Sequence, residues 1–121
     1  MYNTAAEQSI RLSIAQNVRA GVRVLAFSGE IDADNVGLLR EALRVNSHES
    51  AKVVLDLSAV TFMDSSAISV LAGARRDAVT AGGWIRMAAL STPVQRVVEI
   101  VGLDTIIVCY STLAEALADT V

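Results

Sequence analysis

The chain has 121 residues, a net charge of −3 and a hydrophobic content of 53%. This length and apolar content suffice for one compact domain with a buried core, which we expect to span residues 1–121. The acidic balance leaves no basic surface for a run of phosphates, so nucleic acid is not expected as a partner.

The N-terminal residues and the cysteine content predict a cytoplasmic protein. No signal peptide is predicted, because the first residues lack a basic stretch followed by an unbroken apolar segment. The apolar runs are far shorter than a membrane span, so no membrane partner is expected. Cys109 is the single cysteine, which precludes an internal disulfide and is typical of a buried strand residue in a reducing compartment.

The chain begins with a predicted β-hairpin. Apolar and polar residues alternate from Ile10 to Ile14, which is the period of a strand with one exposed face. Turn-forming residues follow over 17–21, and residues 22–27 are again rich in β-formers.

The rest of the chain predicts alternating helices and strands. Apolar spacing predicts a helix over 35–45 with Asp34 as its N-cap, and the apolar run 53–57 indicates a central strand covered on both faces. Further elements are predicted as helices over 65–81, 91–101 and 112–119 and strands over 84–89 and 106–110. The order β-β-α-β-α-β-α-β-α favours an α/β fold with a mixed, mostly parallel sheet and about four helices.

The sequence carries no signature of an independent enzyme or of a metal site. His48, the only histidine, lies in a polar segment that predicts a solvated loop, and one histidine with one cysteine does not make a zinc site. The G-x-S-x-G elbow of serine hydrolases and the glycine-rich phosphate loops are missing. Neither catalysis nor a cofactor is expected.

Asp64, Ser65 and Ser66 follow the central strand and begin a helix, at the edge where open α/β sheets expose functional groups. Capping explains one or two of them, because Asp and Ser are common N-caps. The helix face that continues from Ser66 holds no apolar residue and comprises Ser69, Gly73, Arg76 and Asp77. Ser66 is therefore predicted to point outward and Ser65 to lie nearer the core. Residues 75–77 could contribute partner contacts, but a solvated helix face is the favoured interpretation.

The sequence around this junction resembles the STAS domain, specifically that of the bacterial anti-sigma factor antagonists, whose signature is an apolar strand followed by F-M-D-S-S-G. Residues 54–67 read VLDLSAVTFMDSSA. Residues 29–32, GEID, are similar to the family's G-E-L-D motif, and residues 82–83 and 101–103 match its G-G and S-G-L positions. The resemblance extends over nearly the whole chain and implies the STAS fold. It departs from the pattern at Ala67, where glycine is usual.

The resemblance also implies a phosphorylation switch. In the family, the antagonist binds an anti-sigma factor that is also an ATP-dependent serine kinase, and so frees a sigma factor, such as one of a stress response. The kinase phosphorylates the second serine of the motif, which corresponds to Ser66, and a phosphoserine phosphatase reverses the step. Ser65 is the preceding serine, Asp64 is the acidic residue of the motif, and Asp32 is expected near the phosphosite. Ala67 is expected to add a methyl group near the Ser66 hydroxyl.

Two other functions remain open on the sequence alone. The same fold could serve as an accessory subunit of a lipid or anion transport complex, and a small hydrolase could use Ser65 or Ser66. The complete F-M-D-S-S core favours the antagonist over the transport subunit. Only the two hydroxyl groups support a hydrolase.

Overall fold

The structure, a computed structural model, describes residues 11–45 and 49–118. Its strands are β1 (Leu12–Arg19), β2 (Val22–Ile31), β3 (Lys52–Met63), β4 (Trp84–Ala88) and β5 (Val108–Tyr110). Its helices are α1 (Val36–Ala42), α2 (Ser65–Thr80), α3 (Thr92–Val101) and α4 (Leu113–Ala118), with a 3-10 turn at Leu103–Thr105. The predicted order of strands and α-helices is confirmed.

The five strands form one sheet in the order β1-β2-β3-β4-β5. β1 and β2 pair antiparallel as the predicted hairpin, and the other neighbours pair in parallel. The hairpin turn consists of Ala20 and Gly21 alone, with φ values of 52° and 79° that are typical of a type I′ turn. Residues 17–19, predicted as part of the turn, belong to β1, because the tight turn lets Arg19 pair with Val22.

Helices cover the sheet on both faces, as the apolar run in β3 predicts. α1, α2 and α3 cover one face and enclose the main core, to which Phe27 and Leu55 contribute fully buried side chains. α4 covers the other face over a smaller cluster that includes Val54 and Ala116. Successive residues of β3 therefore face opposite layers, both of them apolar.

The start of α1 differs from the prediction. The N-cap is Asn35 rather than Asp34, and no side chain caps the helix. Asp34 is exposed, and its own N–H donates to the Asp32 carboxylate at 3.0 Å. The Asn35 side chain holds the preceding loop, accepting a hydrogen bond from the Asp32 N–H and donating one to the Glu30 carbonyl.

Two minor predictions concern Cys109 and His48. Cys109 is exposed, so the prediction of a buried cysteine is wrong, because β5 is a three-residue strand at the edge of the sheet. His48 lies outside the described residues. Within the described part of the chain, no helix has the length and apolar character to cross a bilayer.

Candidate functional site

The parallel pairing of β2 with β3 positions the acidic residues of the site. Ile31 and Met63 are paired at the ends of these strands, so Asp32 and Asp64 leave the sheet at neighbouring positions. Adjacent strands lie about 4.8 Å apart. The backbone N–H of Asp64 donates to the carbonyl of Ile31 at 3.2 Å, which ties the two ends together. The structure thus brings together the two acidic residues that are 32 positions apart in the sequence.

Asp64 is the N-cap of α2. Its backbone is extended, and its Oδ1 accepts hydrogen bonds from the N–H groups of Ser66 at 2.9 Å and Ala67 at 3.4 Å. These bonds satisfy two of the amides that a helix start leaves without an intrahelical partner. The predicted capping role of Asp64 is confirmed.

The two serines have the reverse of their predicted exposure. Ser65 is exposed, whereas Ser66 is half-buried. α1 packs beside α2 and forms a groove with the helix face that continues from Ser66. The sequence shows that this face is not apolar, but it does not show which neighbour covers it.

Ala67 lies in the main core with no exposed surface. Its methyl group is therefore directed away from the surface on which a partner would meet the serines. The departure from the family's glycine changes the interior of the helix start and leaves its outer surface unobstructed.

Arg11 is a component of the site that the sequence analysis missed. Its guanidinium donates a hydrogen bond to the Asp32 carboxylate and lies 3.5 Å from Glu30 Oε1 and 3.9 Å from Asp34 Oδ2. A signal was available in the hairpin, because the β1–β2 register continues from Leu12 to place Arg11 beside Glu30. A single guanidinium thus links three carboxylates at the end of β2 and in the loop that follows it.

The pairing of Arg11 with Asp32 fixes the charge of both groups. Burial acts to raise the pKa of Asp32, but the hydrogen bond from Arg11 and the N–H of Asp34 together hold that pKa below its usual range. The same hydrogen bond and the charge of Asp32 raise the pKa of Arg11. Both side chains are therefore fully ionised at neutral pH.

Gly29 permits this pairing. Its φ is 111°, and a Cβ at this position would lie 1.8 Å from the carbonyl oxygen of Arg11. The close approach lets the N–H of Glu30 donate to that same oxygen at 2.8 Å. The glycine of the GEID segment therefore holds the backbone of Arg11 in place.

Neither the Ser65 nor the Ser66 hydroxyl makes a hydrogen bond within the described residues, so no neighbouring base is placed to activate it. No group of three or more acidic, histidine or cysteine side chains in that part of the chain could hold a metal ion. What the surface offers is two hydroxyls at a helix start beside acidic side chains.

Comparisons with known proteins agree with this geometry. The STAS domain family matches residues 13–116. The chain is 32% identical over 114 residues to the anti-sigma-F factor antagonist RsfB of Mycobacterium tuberculosis, covering 93% of this chain and 91% of that protein. The crystal structure of an anti-sigma factor antagonist from Mycobacterium paratuberculosis has a TM-score of 0.79 and 30% identity, covering 88% of this chain and 91% of that one.

The fold extends to proteins of other function. The crystal structure of a sulfate transporter family protein from Wolinella succinogenes has a TM-score of 0.73 but only 16% identity, covering 84% of this chain and 86% of that one. This likeness concerns the fold alone. With the family match over residues 13–116 and a relative that is 32% identical along almost its whole length, the chain belongs to the STAS domain family.

Proposed function

We propose that the protein is an anti-sigma factor antagonist acting in the cytoplasm. It binds an anti-sigma factor that is also a serine kinase, and this binding frees the sigma factor for transcription. The observation that carries the proposal is the Asp64-Ser65-Ser66 segment at the start of α2, in a chain that is 32% identical to a protein named for this function.

Phosphorylation of Ser66 ends the binding. The kinase transfers the γ-phosphoryl group of ATP to the Ser66 hydroxyl oxygen, which gives up its proton, and ADP leaves. A phosphoserine phosphatase then uses water to restore the hydroxyl and release inorganic phosphate. Each phosphorylation adds about −1.5 to −2 charges at neutral pH.

The new charge enters a surface that is already acidic. Glu30, Asp32 and Asp34 surround Arg11, and Asp64 adds a fourth carboxylate at the neighbouring strand end. A partner that docks on a neutral hydroxyl would have to desolvate a dianion among these groups, which is strongly unfavourable without a matching cation. Because every 1.4 kcal/mol lowers affinity about tenfold, this change is sufficient to release the partner.

The fold is expected to survive the modification. Ser66 lies in the first turn of α2, where the helix dipole favours negative charge. The N–H groups of Ser66 and Ala67 are already bound to Asp64, so the phosphate and this carboxylate would compete for the same donors. Release of the partner therefore needs only a local rearrangement.

The proposal is tested by incubating the protein with candidate anti-sigma kinases and ATP, followed by peptide mapping. Ser65→Ala is the matched control, because Ser65 is adjacent and more exposed than Ser66. We expect Ser65→Ala to be phosphorylated and Ser66→Ala to remain unmodified. Modification that persists in Ser66→Ala would assign the phosphosite to another residue.

Capture of the kinase distinguishes the antagonist from a transport subunit. Ser66→Asp should weaken binding of the anti-sigma kinase at least about tenfold, since it introduces a permanent negative charge. Ser66→Ala should bind like the wild type. Equal capture of both variants would contradict the switch.

A further inference from the structure

A groove with a volume of about 290 Å³ lies between α1 and α2, on the helix face that continues from Ser66. α1 and the residues after it contribute Arg40, Leu43 and Arg44, and α2 contributes Val70, Gly73 and Arg76. We call it the arginine groove. It is distinct from the acidic surface around Arg11, because it shares no residue with it.

The arginine groove has an excess of positive charge. Arg40 and Arg76 are exposed, and neither has an ion-pair partner within residues 11–45 and 49–118. Arg44 pairs with Glu41 at 3.4 Å, but both side chains are largely exposed, and such a pair is weak. Asp77 is the one acidic residue among those that line the groove. Three cations thus gather on one surface of an acidic protein.

The floor of the arginine groove is apolar and open. Leu43 is buried and Val70 is half-buried, so both present hydrocarbon at its base. Gly73 has no side chain, and a Cβ built there would lie 3.8 Å from Arg76 Nη2. The Arg76 guanidinium therefore lies beside Gly73 on the surface of α2.

We propose that the arginine groove binds an acidic amphipathic segment of a partner protein. Carboxylates of that segment pair with Arg40 and Arg76, and an apolar side chain rests between them on Val70. A nucleic acid fits less well, because Asp77 lines the groove and the chain as a whole is acidic. The assignment of this segment to the anti-sigma factor rests on the proposed function.

The position of the groove makes it a second attachment point beside the phosphosite. Arg76 is ten residues beyond Ser66 on the same helix face, a distance of about 15 Å along the axis. This exceeds the Debye length of about 8 Å at physiological salt, so a phosphate on Ser66 scarcely weakens the groove. The arginine groove therefore contributes to affinity separately from the contact at Ser66.

Arg76→Glu tests the groove against a matched control, Arg96→Glu. Both arginines are exposed on helices and both substitutions change the net charge equally, but Arg96 does not line the groove. With the anti-sigma kinase, we expect Arg76→Glu to raise the Kd about tenfold and to flatten its salt dependence. Arg96→Glu should change the Kd less than about twofold. If the two variants had equal effects while the wild type bound normally, the proposed role of the groove would be wrong and the proposed function would stand.

A synthetic peptide separates the groove from the proposed function. The probe is a helix-forming peptide of glutamate and leucine at amphipathic spacing, with a glutamine-for-glutamate version as control. In the ¹⁵N-labelled full chain, the glutamate peptide should shift the amide signals of Gly73 and Arg76 far more than the control peptide. Such shifts without any binding of an anti-sigma factor would support peptide binding in the groove and contradict the proposed function. Absence of these shifts would show that the groove does not bind such a segment.

Discussion

The carboxylate of Asp64 accepts a hydrogen bond from the backbone N–H of Ser66 at 2.9 Å. The group that begins α2 is therefore also the nearest fixed negative charge to the proposed phosphosite. Helix capping and electrostatic repulsion reside in one side chain, and substitutions that keep the hydrogen bond but remove the charge can separate them.

Asp64→Ala should lower the free energy of unfolding by about 1 kcal/mol, since the cap is lost and the N–H groups of Ser66 and Ala67 lose their partner. Asp64→Asn should lower it by only a few tenths of a kcal/mol, because asparagine caps nearly as well. Urea unfolding measures both values. A loss of equal size in the two variants would show that charge, rather than capping, stabilises the helix start.

Gly29→Ala should destabilise the protein by about 3 kcal/mol or more, because the added Cβ collides with the Arg11 carbonyl at a φ that side chains rarely adopt. Gly21→Ala is the control. Its φ is also positive, but no atom lies within 4 Å of the added Cβ, so only about 1 kcal/mol should be lost. The expectation fails if urea unfolding gives the two variants the same stability.

Asp32→Asn should show a pH-dependent loss of stability. The pKa of Asp32 is lowered in the folded state, so its ionised form stabilises the fold fully above the unfolded pKa of about 3.9. That stabilisation is lost as the pH falls through the lower folded pKa. The difference between wild type and Asp32→Asn should therefore be full at neutral pH and should shrink in acid.

Asp34→Asn provides the control for that pH series. Asp34 is 3.9 Å from Arg11, but its side chain is 87% exposed, so its removal should change stability little at any pH. Urea unfolding from neutral pH down to about pH 3 measures both variants. A constant difference for Asp32→Asn across this range would rule out the ion pair as its cause.

Ala67→Gly should reduce stability without changing phosphorylation. The substitution removes a fully buried methyl group and introduces glycine near a helix start, which together cost roughly 1 to 2 kcal/mol. Because that methyl faces the core, the rate at which the kinase modifies Ser66 should equal that of the wild type. A changed rate at unchanged stability would mean that Ala67 affects access to the hydroxyl.

Local signals in the sequence were sufficient to predict much of the fold. Asp64 is the N-cap of α2 as predicted, and Gly102 is the C-cap of α3, where the left-handed backbone favours glycine. The nearly continuous apolar run 53–57 in β3 predicted its two covered faces, because that pattern depends on the strand itself. Features that depend on a single helix or strand could thus be predicted from the sequence.

Features that depend on contacts between distant parts of the chain could not be predicted in this way. The groove between α1 and α2 depends on how these two helices pack, and no periodicity within α2 reports the neighbour. The pairing of Arg11 with Asp32 joins residues 21 positions apart and requires the hairpin register. Arg76 and Asp77 are exposed, as the interpretation of a solvated face expects, but the groove that they line with α1 does not follow from the sequence of α2.

The length of β3 has a practical use. Lys52, which begins this 12-residue strand, is exposed and is the only lysine in the sequence. At about 3.3 Å per residue, it lies roughly 40 Å from Asp64, which follows the other end of the strand. Apart from the α-amino group, an amine-reactive dye therefore has one attachment point, remote from the serines. Fluorescence anisotropy of the labelled protein can report partner association while the surface around the serines remains chemically untouched.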